Sequence, residues 1–486
     1  MGALEPKQVS EVIYELSRDF RPDMHVPVRV FADEELLSQI KRDHSLEQLV
    51  NVTTLPGVTR AALGMPDMHQ GYGFPVGGVA ATLLPDGAIS PGGIGFDINC
   101  GVRLLGSGLR YPDAESVVPK LVHELSRSIP TGYGRHGRLD LSLDELDRVL
   151  NEGCAYVIHE RHLGLDGDLE LIESRGSLPG ADASRVSDRA KQRGQDQLGT
   201  LGGGNHFLEV QRVDAIFDEK AAKALGLSLG QVTVLIHTGS RGLGHQVCTD
   251  YVRAMDQALS RYKISLPDRQ LACAPLSSVE GRDYFAAMCA AANFAWANRQ
   301  VLTHRIRETF ARLLGSGPSA SLGTGADSTL RVIYDVAHNI AKLEQFGNQT
   351  LCVHRKGATR AFGPASAEIP AAYRGIGQPI FIPGSMGTAS FVLVGADASK
   401  EISLSSTCHG AGRALSRTAA KKEVIGHELR KQLEARGIIV RCPSNAELAE
   451  EAPVAYKDVE RVVDVVTRAG IAKKVARLVP RGVLKG

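Results

Sequence analysis

The chain has no CxxC pair, no run of about 18 uninterrupted apolar residues, and almost no excess charge. Each absence removes a class of protein. The eight cysteines, at positions 100, 154, 248, 273, 289, 352, 408 and 442, are scattered. Such spacing argues against a disulfide framework or a zinc ribbon and for a reducing cytoplasm. Without a long apolar run, no membrane span is expected. The mixed segment Met1–Asp19 carries acids early and does not read as a signal peptide. A formal net charge of +2 over 486 residues means that any nucleic-acid surface must be a local patch. Internal repeats, low-complexity segments and long linkers are also missing.

Glycine, by contrast, is abundant. The 52 glycines cluster around polar motifs, which points to a site built from backbone turns. The stretch Gly92–Arg103 is the densest of these. It places Asp97 three residues before Cys100, with glycines on both sides. A thiolate and a carboxylate repel each other, so both ionise together only with a cation between them. The plain alternative is a surface Asp and a buried structural Cys. Three later histidines weigh against it.

Leu198–Val210 runs three glycines into Asn205 and His206, then into an alternating strand from Phe207. Consecutive glycine N–H groups can form an anion nest. Val232–Ile236 reads as a buried strand ending in His237, and Leu330–Val336 as another that ends in Ala337, His338 and Asn339. One histidine at a strand end is ordinarily a satisfied core residue. Three of them, two beside asparagine, point to a ligand set. Arg241, in the glycine loop after His237, suits a phosphate.

Ser405–Arg417 puts His409 just before glycines that are expected to open a basic helix, with Arg413 and Arg417 sharing one face. A histidine facing a phosphate beside two arginines has the makings of a phosphoryl or nucleotidyl acceptor. Its second ring nitrogen then needs a hydrogen-bond acceptor, which the sequence does not name.

Other stretches read more plainly. Asp33–Leu49 reads as one amphipathic helix, and Gly64–Gly78 as a loop carrying Asp67 and His69. Residues 112–175 read as mainly helical, with a Gly-rich basic break at Thr131–Arg138. Residues 155–196 are expected to form a loop or insertion over the site. Asp283–Leu314 reads as a long helix with Leu302, Ile306, Phe310 and Leu313 buried; His304 lies off that face. Val353–Gly363, with His354, Arg355, Lys356 and Arg360, is either a solvated basic loop or a phosphate-binding rim. Pro379–Ile382 and Phe391–Gly395 read as strands whose connecting turn suits a nucleotide. Val459, Val462, Val463 and Val466 mark a helix. The basic residues of 467–486 form either a solvated face or a tail that closes over nucleotide or RNA.

Asp97, Cys100, His206, His237 and His338 are too many ligands for one tetrahedral ion. A bridging thiolate resolves this: Asp97, Cys100 and His206 hold one ion, and Cys100, His237 and His338 the other. Two cations can clamp a phosphoryl displacement. Sulfur favours zinc, while carboxylate with imidazole also admits manganese. One site drawing on the whole chain means one large intertwined α+β domain over 1–486, with residues 1–60 as its N-terminal segment. Mixed sheets are expected to form a central metal cleft, with helices packed outside.

Several motifs resemble the RtcB-type tRNA-splicing RNA ligases over roughly residues 60–486. They are Gly-Phe-Asp-Ile-Asn-Cys-Gly-Val-Arg, Gly-Gly-Gly-Asn-His-Phe-Leu-Glu-Val, His-Thr-Gly-Ser-Arg-Gly, Tyr-Asp-Val-Ala-His-Asn, Pro-Gly-Ser-Met-Gly, Cys-His-Gly-Ala-Gly-Arg and the terminal Leu-Lys-Gly. The resemblance implies a GTP- and Mn(II)-dependent ligase that joins an RNA 3′-phosphate or 2′,3′-cyclic phosphate to a 5′-hydroxyl, in tRNA splicing or RNA repair. It implies GMP-histidine and RNA-ppG intermediates, with His409 as nucleophile and two manganese ions on the five ligands above. Guanylate contacts are implied at Asn205, His206, Phe207, Leu208, Glu209, His338, Asn339, Pro383, Gly384, Ser385, Met386, Ser390, His409, Gly410, Ala411, Gly412, Tyr456 and Lys485. Arg241, Arg413 and Arg417 are candidates for RNA phosphates, and an archease-type activator is a candidate partner. A binuclear RNA phosphoesterase and a metal-stabilised RNA-binding protein are the competing readings.

Overall fold

The β-branched runs assemble into two large mixed sheets, in line with the expected α+β class. The structure, a computed structural model, describes residues 4–314 and 330–486; residues 1–3 of the N-terminal segment and 315–329, inside the span of the family resemblance, lie outside it. The first sheet has seven strands in the order Lys7–Ser10, Ile13–Leu16, Val28–Phe31, Val58–His69, Val76–Leu83, Gln349–Lys356, Asn339–Phe346. Its one parallel step joins Val28–Phe31 to Val58–His69. The second has eight strands. Its path is Arg331–Ala337, Gly101–Arg110, Gln231–Thr238, Phe207–Ile216, Ala472–Lys485, Ser390–Gly395, Pro379–Ile382, with Ile439–Arg441 parallel to Ala472–Lys485.

Burial explains the central strands. Gln231–Thr238 reads Gln-Val-Thr-Val-Leu-Ile-His-Thr, and all eight residues are buried, as in a strand covered on both faces. The chain passes from the second sheet to the first at a single residue, His338, between Arg331–Ala337 and Asn339–Phe346. Helix Val279–Leu314 starts four residues earlier than expected and is buried without a break from Ala287 to Thr303. Its alanine-rich middle lets other elements approach from every side. Leu302, Ile306 and Phe310 are buried as expected, and His304 lies beside Glu308.

Four expectations need correcting. Asp33–Leu49 is two helices, Glu34–Ile40 and Ser45–Val52, because Asp43 accepts from the backbone N–H of Ser45 and breaks the run. Gly64–Gly78 is no loop: it carries the end of strand Val58–His69 and the start of Val76–Leu83. The basic stretch 467–486 is no tail either, since Ala472–Lys485 lies inside the second sheet. Segment 155–196 holds short 3-10 turns and helix Asp188–Gly194, which packs on helix Arg241–Ala258. None of its residues lines the main cavity.

Candidate active site and metal centre

Strand ends of the second sheet deliver the candidate metal donors. Asp97 and Cys100 form the turn before Gly101–Arg110, closed by Cys100 N–H donating to Asp97 O at 3.0 Å. His206 precedes Phe207–Ile216, and His237 sits near the end of Gln231–Thr238, in register with Val102 and Phe207. His338 follows Arg331–Ala337, its N–H donating to Cys100 O at 2.9 Å. Glycine is required at 239, where a Cβ would lie 2.3 Å from Asp97 Oδ1.

The donors fall into the two groups expected: Asp97, Cys100 and His206, and Cys100, His237 and His338, each with its donor atoms within 4.8 Å of one another. Cys100 Sγ lies 3.4 Å from both His206 Nε2 and His237 Nε2. His237 Nε2 is 3.3 Å from His338 Nε2, and Asp97 Oδ2 is 2.6 Å from His206 Nε2. Asp97 Oδ1 and His237 Nδ1 are buried without a partner among the described residues. Burial and then Asp97 push the Cys100 thiol well up, while burial holds His237 and His338 well below the usual imidazole range. Converging donors of this kind fit a pair of divalent cations sharing one sulfur.

One guanidinium frames this centre. Arg299, fully buried on helix Val279–Leu314, donates to Asn99 O and Thr238 O at 2.8 Å and makes a two-pronged bond to Asp335. Those three residues lie one, one and three positions from Cys100, His237 and His338.

His409 stands beside the donors, its ring centroid 4.9 Å from that of His338. Its Nδ1 donates to Asp67 Oδ2 at 2.6 Å, and the same oxygen accepts from its backbone N–H at 3.1 Å. The missing acceptor is therefore Asp67, 342 positions away on strand Val58–His69. In the neutral ring, Nδ1 as donor leaves the lone pair on Nε2. His409 lines a cavity of ≈ 270 Å³ together with His237, His338, Ser385, Tyr456 and Lys485.

A family model described as tRNA-splicing ligase RtcB matches residues 48–486. This chain belongs to the RtcB family. A protein of Archaeoglobus fulgidus named tRNA-splicing ligase RtcB is 51% identical over 484 residues, which cover 99% of this chain and 98% of its own. One of Mycobacterium tuberculosis named RNA-splicing ligase RtcB is 51% identical over 446 residues, covering 90% of this chain and all of its own.

Most positions singled out by the RtcB resemblance meet at one cavity. Asn205, Phe207, His237, His338, Asn339, Pro383–Met386, His409–Gly412, Arg413, Arg417, Tyr456 and Lys485 line it. Glu209 and Ser390 lie just behind, joined through Gln211 Nε2 at 2.7 and 3.1 Å. Burial raises the Glu209 carboxyl to about 8. Leu208 departs from the expectation: its side chain is buried in a hydrophobic cluster with Val210 and Ile236. Arg241 does not line the cavity; its Nη1 donates to His206 Nδ1 at 3.2 Å.

The helix expected after His409 begins only at Arg417, so Arg413 and Arg417 do not share a helical face. They converge instead on Glu451, at 3.2 and 3.3 Å, and the Tyr456 hydroxyl donates to the same carboxylate. The stretch Val353–Gly363 is no solvated loop. Arg355 is paired with Glu344 and Arg360 with Glu173 and Glu368, all but Glu368 buried. Lys356 alone of these reaches the cavity, donating to Tyr72 O and Phe74 O. Glu451 carries no ligand signal in sequence, and Asp67 stands out only beside His69 in a Gly- and Pro-rich stretch, because their roles depend on partners far along the chain.

Proposed function

We propose that this chain joins RNA ends, sealing a 3′-phosphate or 2′,3′-cyclic phosphate to a 5′-hydroxyl with GTP and Mn(II), in tRNA splicing or RNA repair. The observation that carries the proposal is His409, with Nδ1 tied to Asp67, lining one cavity with His237 and His338 of the donor cluster. His409 Nε2 bonds to the α-phosphorus of GTP as the bond to pyrophosphate breaks. Asp67 holds the Nδ1 proton and offsets the positive charge that forms on the ring. A 2′,3′-cyclic end is first opened by water to the 3′-phosphate; the RNA 3′-phosphate takes GMP from His409, and attack by the 5′-hydroxyl forms the new phosphodiester and releases GMP. Glu209, Ser385, Tyr456 and Lys485 bind the guanylate.

Divalent cations held by Asp97, Cys100 and His206 and by Cys100, His237 and His338 supply positive charge beside the phosphates. Were His206 Nε2 to hold a metal, its ring proton would sit on Nδ1, leaving no lone pair there for Arg241, whose guanidinium would then be available to a phosphate. All eight thiols are free, consistent with a cytoplasmic protein. Among the described residues no helix is long and apolar enough to cross a membrane. An archease-type activator is a further candidate partner.

Incubation with α-labelled GTP and manganese tests the proposal. Acid-labile label should appear on the protein and disappear in His409→Ala. A protein that takes no label but hydrolyses RNA would replace the ligase with a binuclear phosphoesterase.

A further inference from the structure

Residues 131–138, Thr-Gly-Tyr-Gly-Arg-His-Gly-Arg, connect helix Val118–Ser128 to helix Leu143–Glu152 without forming either helix or strand. They are anchored from beneath. Gly132 N–H donates to Gly202 O at 3.0 Å, and Thr131 forms a parallel bridge to Gly202. Gly202–Gly204 lead directly into Asn205 and His206, so this loop sits against the rim of the active site. Tyr133 lies on that glycine run: a Cβ on Gly203 would come within 2.6 Å of its ring, and one on Gly204 within 3.0 Å of its hydroxyl. Glycine there lets the ring rest on bare backbone. The residue nevertheless stays 64% exposed. An aromatic ring backed by a tight turn and open to solvent is a stacking surface for a nucleobase.

Next to Tyr133 runs a groove of ≈ 660 Å³ lined by Arg127, Arg135, His136, Arg138 and Arg441, with no acidic residue in its lining. Arg138 donates to Arg127 O at 2.8 Å and Arg441 to Val440 O at 3.2 Å, so neither charge is spent on a carboxylate. The nearest compensation is Glu124, 3.5 Å from Arg127, and Asp196, 2.5 Å from His136. In a chain of net charge +2, four arginines in one groove are a marked local concentration. Toward the active site, Arg417, paired with Glu451, lies beside Gly204.

We propose that this groove holds the single-stranded RNA segment adjoining the reacting end, with Tyr133 stacking one base and Arg135, Arg138 and Arg441 following the phosphates. The inference rests on the RNA-ligase reading and extends it to the strand beyond the reacting phosphate. The aromatic ring separates this occupant from an acidic protein, which would use the arginines alone.

Binding of a short, labelled single-stranded RNA with a 5′-hydroxyl, followed by fluorescence anisotropy on the full chain at several salt concentrations, tests it. Tyr133→Ala should weaken binding about 5- to 150-fold, the range for losing one stacked base, while Tyr133→Phe retains it. The triple variant Arg135→Gln/Arg138→Gln/Arg441→Gln should flatten the log–log salt slope by about 2, for three lost phosphate contacts on a single strand. Wild-type affinity and slope in both variants would overturn the proposal. So would a loss confined to the arginine variant, the mark of an acidic partner or of charge alone. A wild-type chain that binds no RNA overturns the ligase reading as well. Labelling of His409 by GTP, read on the same preparations, tells the two failures apart.

Discussion

Asp67→Asn isolates what makes His409 a nucleophile. Both hydrogen bonds from His409 fall on one oxygen, Oδ2, while Oδ1 has no partner. An amide oxygen in the Oδ2 position can keep both bonds, so the substitution removes the charge and leaves the geometry. Bond formation at Nε2 leaves the ring positively charged, with its proton still on Nδ1. A carboxylate about 4 Å from that charge, at an effective dielectric of about 20, stabilises it by about 4 kcal/mol. Its loss should slow GMP transfer to His409 about 1000-fold. The assay is single-turnover incorporation of α-labelled GTP, with GTP affinity measured separately to show that binding is retained. Asp67→Ala, which loses the geometry too, should be slower still. An Asp67→Asn rate within a few-fold of the wild type would refute the assignment of Asp67 as the group that stabilises the charged ring.

Three further outcomes follow from the same geometry. Calorimetric titration with Mn(II) should find two sites in the native chain, one in Asp97→Ala and none of comparable affinity in Cys100→Ala, because only Cys100 belongs to both donor groups; two tight sites in Cys100→Ala would disprove a shared sulfur. Gly412→Ala should lower both the melting temperature and His409 labelling: φ is +74° there, a Cβ would meet Asp67 O at 2.1 Å, and the left-handed backbone alone costs about 1–2 kcal/mol. Burial would raise the Glu173 carboxyl, but Arg360, Lys342 and the Ala337 N–H bring it down from 4.5 to about 2. The folded state therefore favours its ionised form. That stabilisation, on the order of 3 kcal/mol, is complete above about pH 4.5 and lost as the pH falls toward 2. Urea midpoints across this range should fall less steeply in Glu173→Gln, and parallel curves for the two proteins would contradict the linkage.

What could be read in sequence was local. Val232–Ile236 with His237, and Leu330–Val336 with His338, announce buried strands ending in a histidine of the Cys/His cluster, because an apolar β-branched run and the polar residue that stops it are adjacent in the chain. The membership of Cys100 in both candidate donor groups also followed from counting residues. Pairings across long separations were hidden. Asp67 lies in a Gly- and Pro-rich stretch that looks like a loop, and it becomes a buried strand residue only through pairing with Val76–Leu83. The charges of Arg355 and Arg360 look solvated until Glu344 and Glu173 are brought to them. Lys485 seems to belong to a basic tail, yet neighbouring strands on both sides bury it beside Glu451.

Arg299 grips the main chain next to two ligands and a side chain close to a third, all from one position on a buried helix. Strands tied at a common knot cannot drift apart one at a time. Loosening that helix would scatter the coordinating atoms in a single event, so loss of bound metal on warming should be abrupt and coincide with the unpacking of the helix.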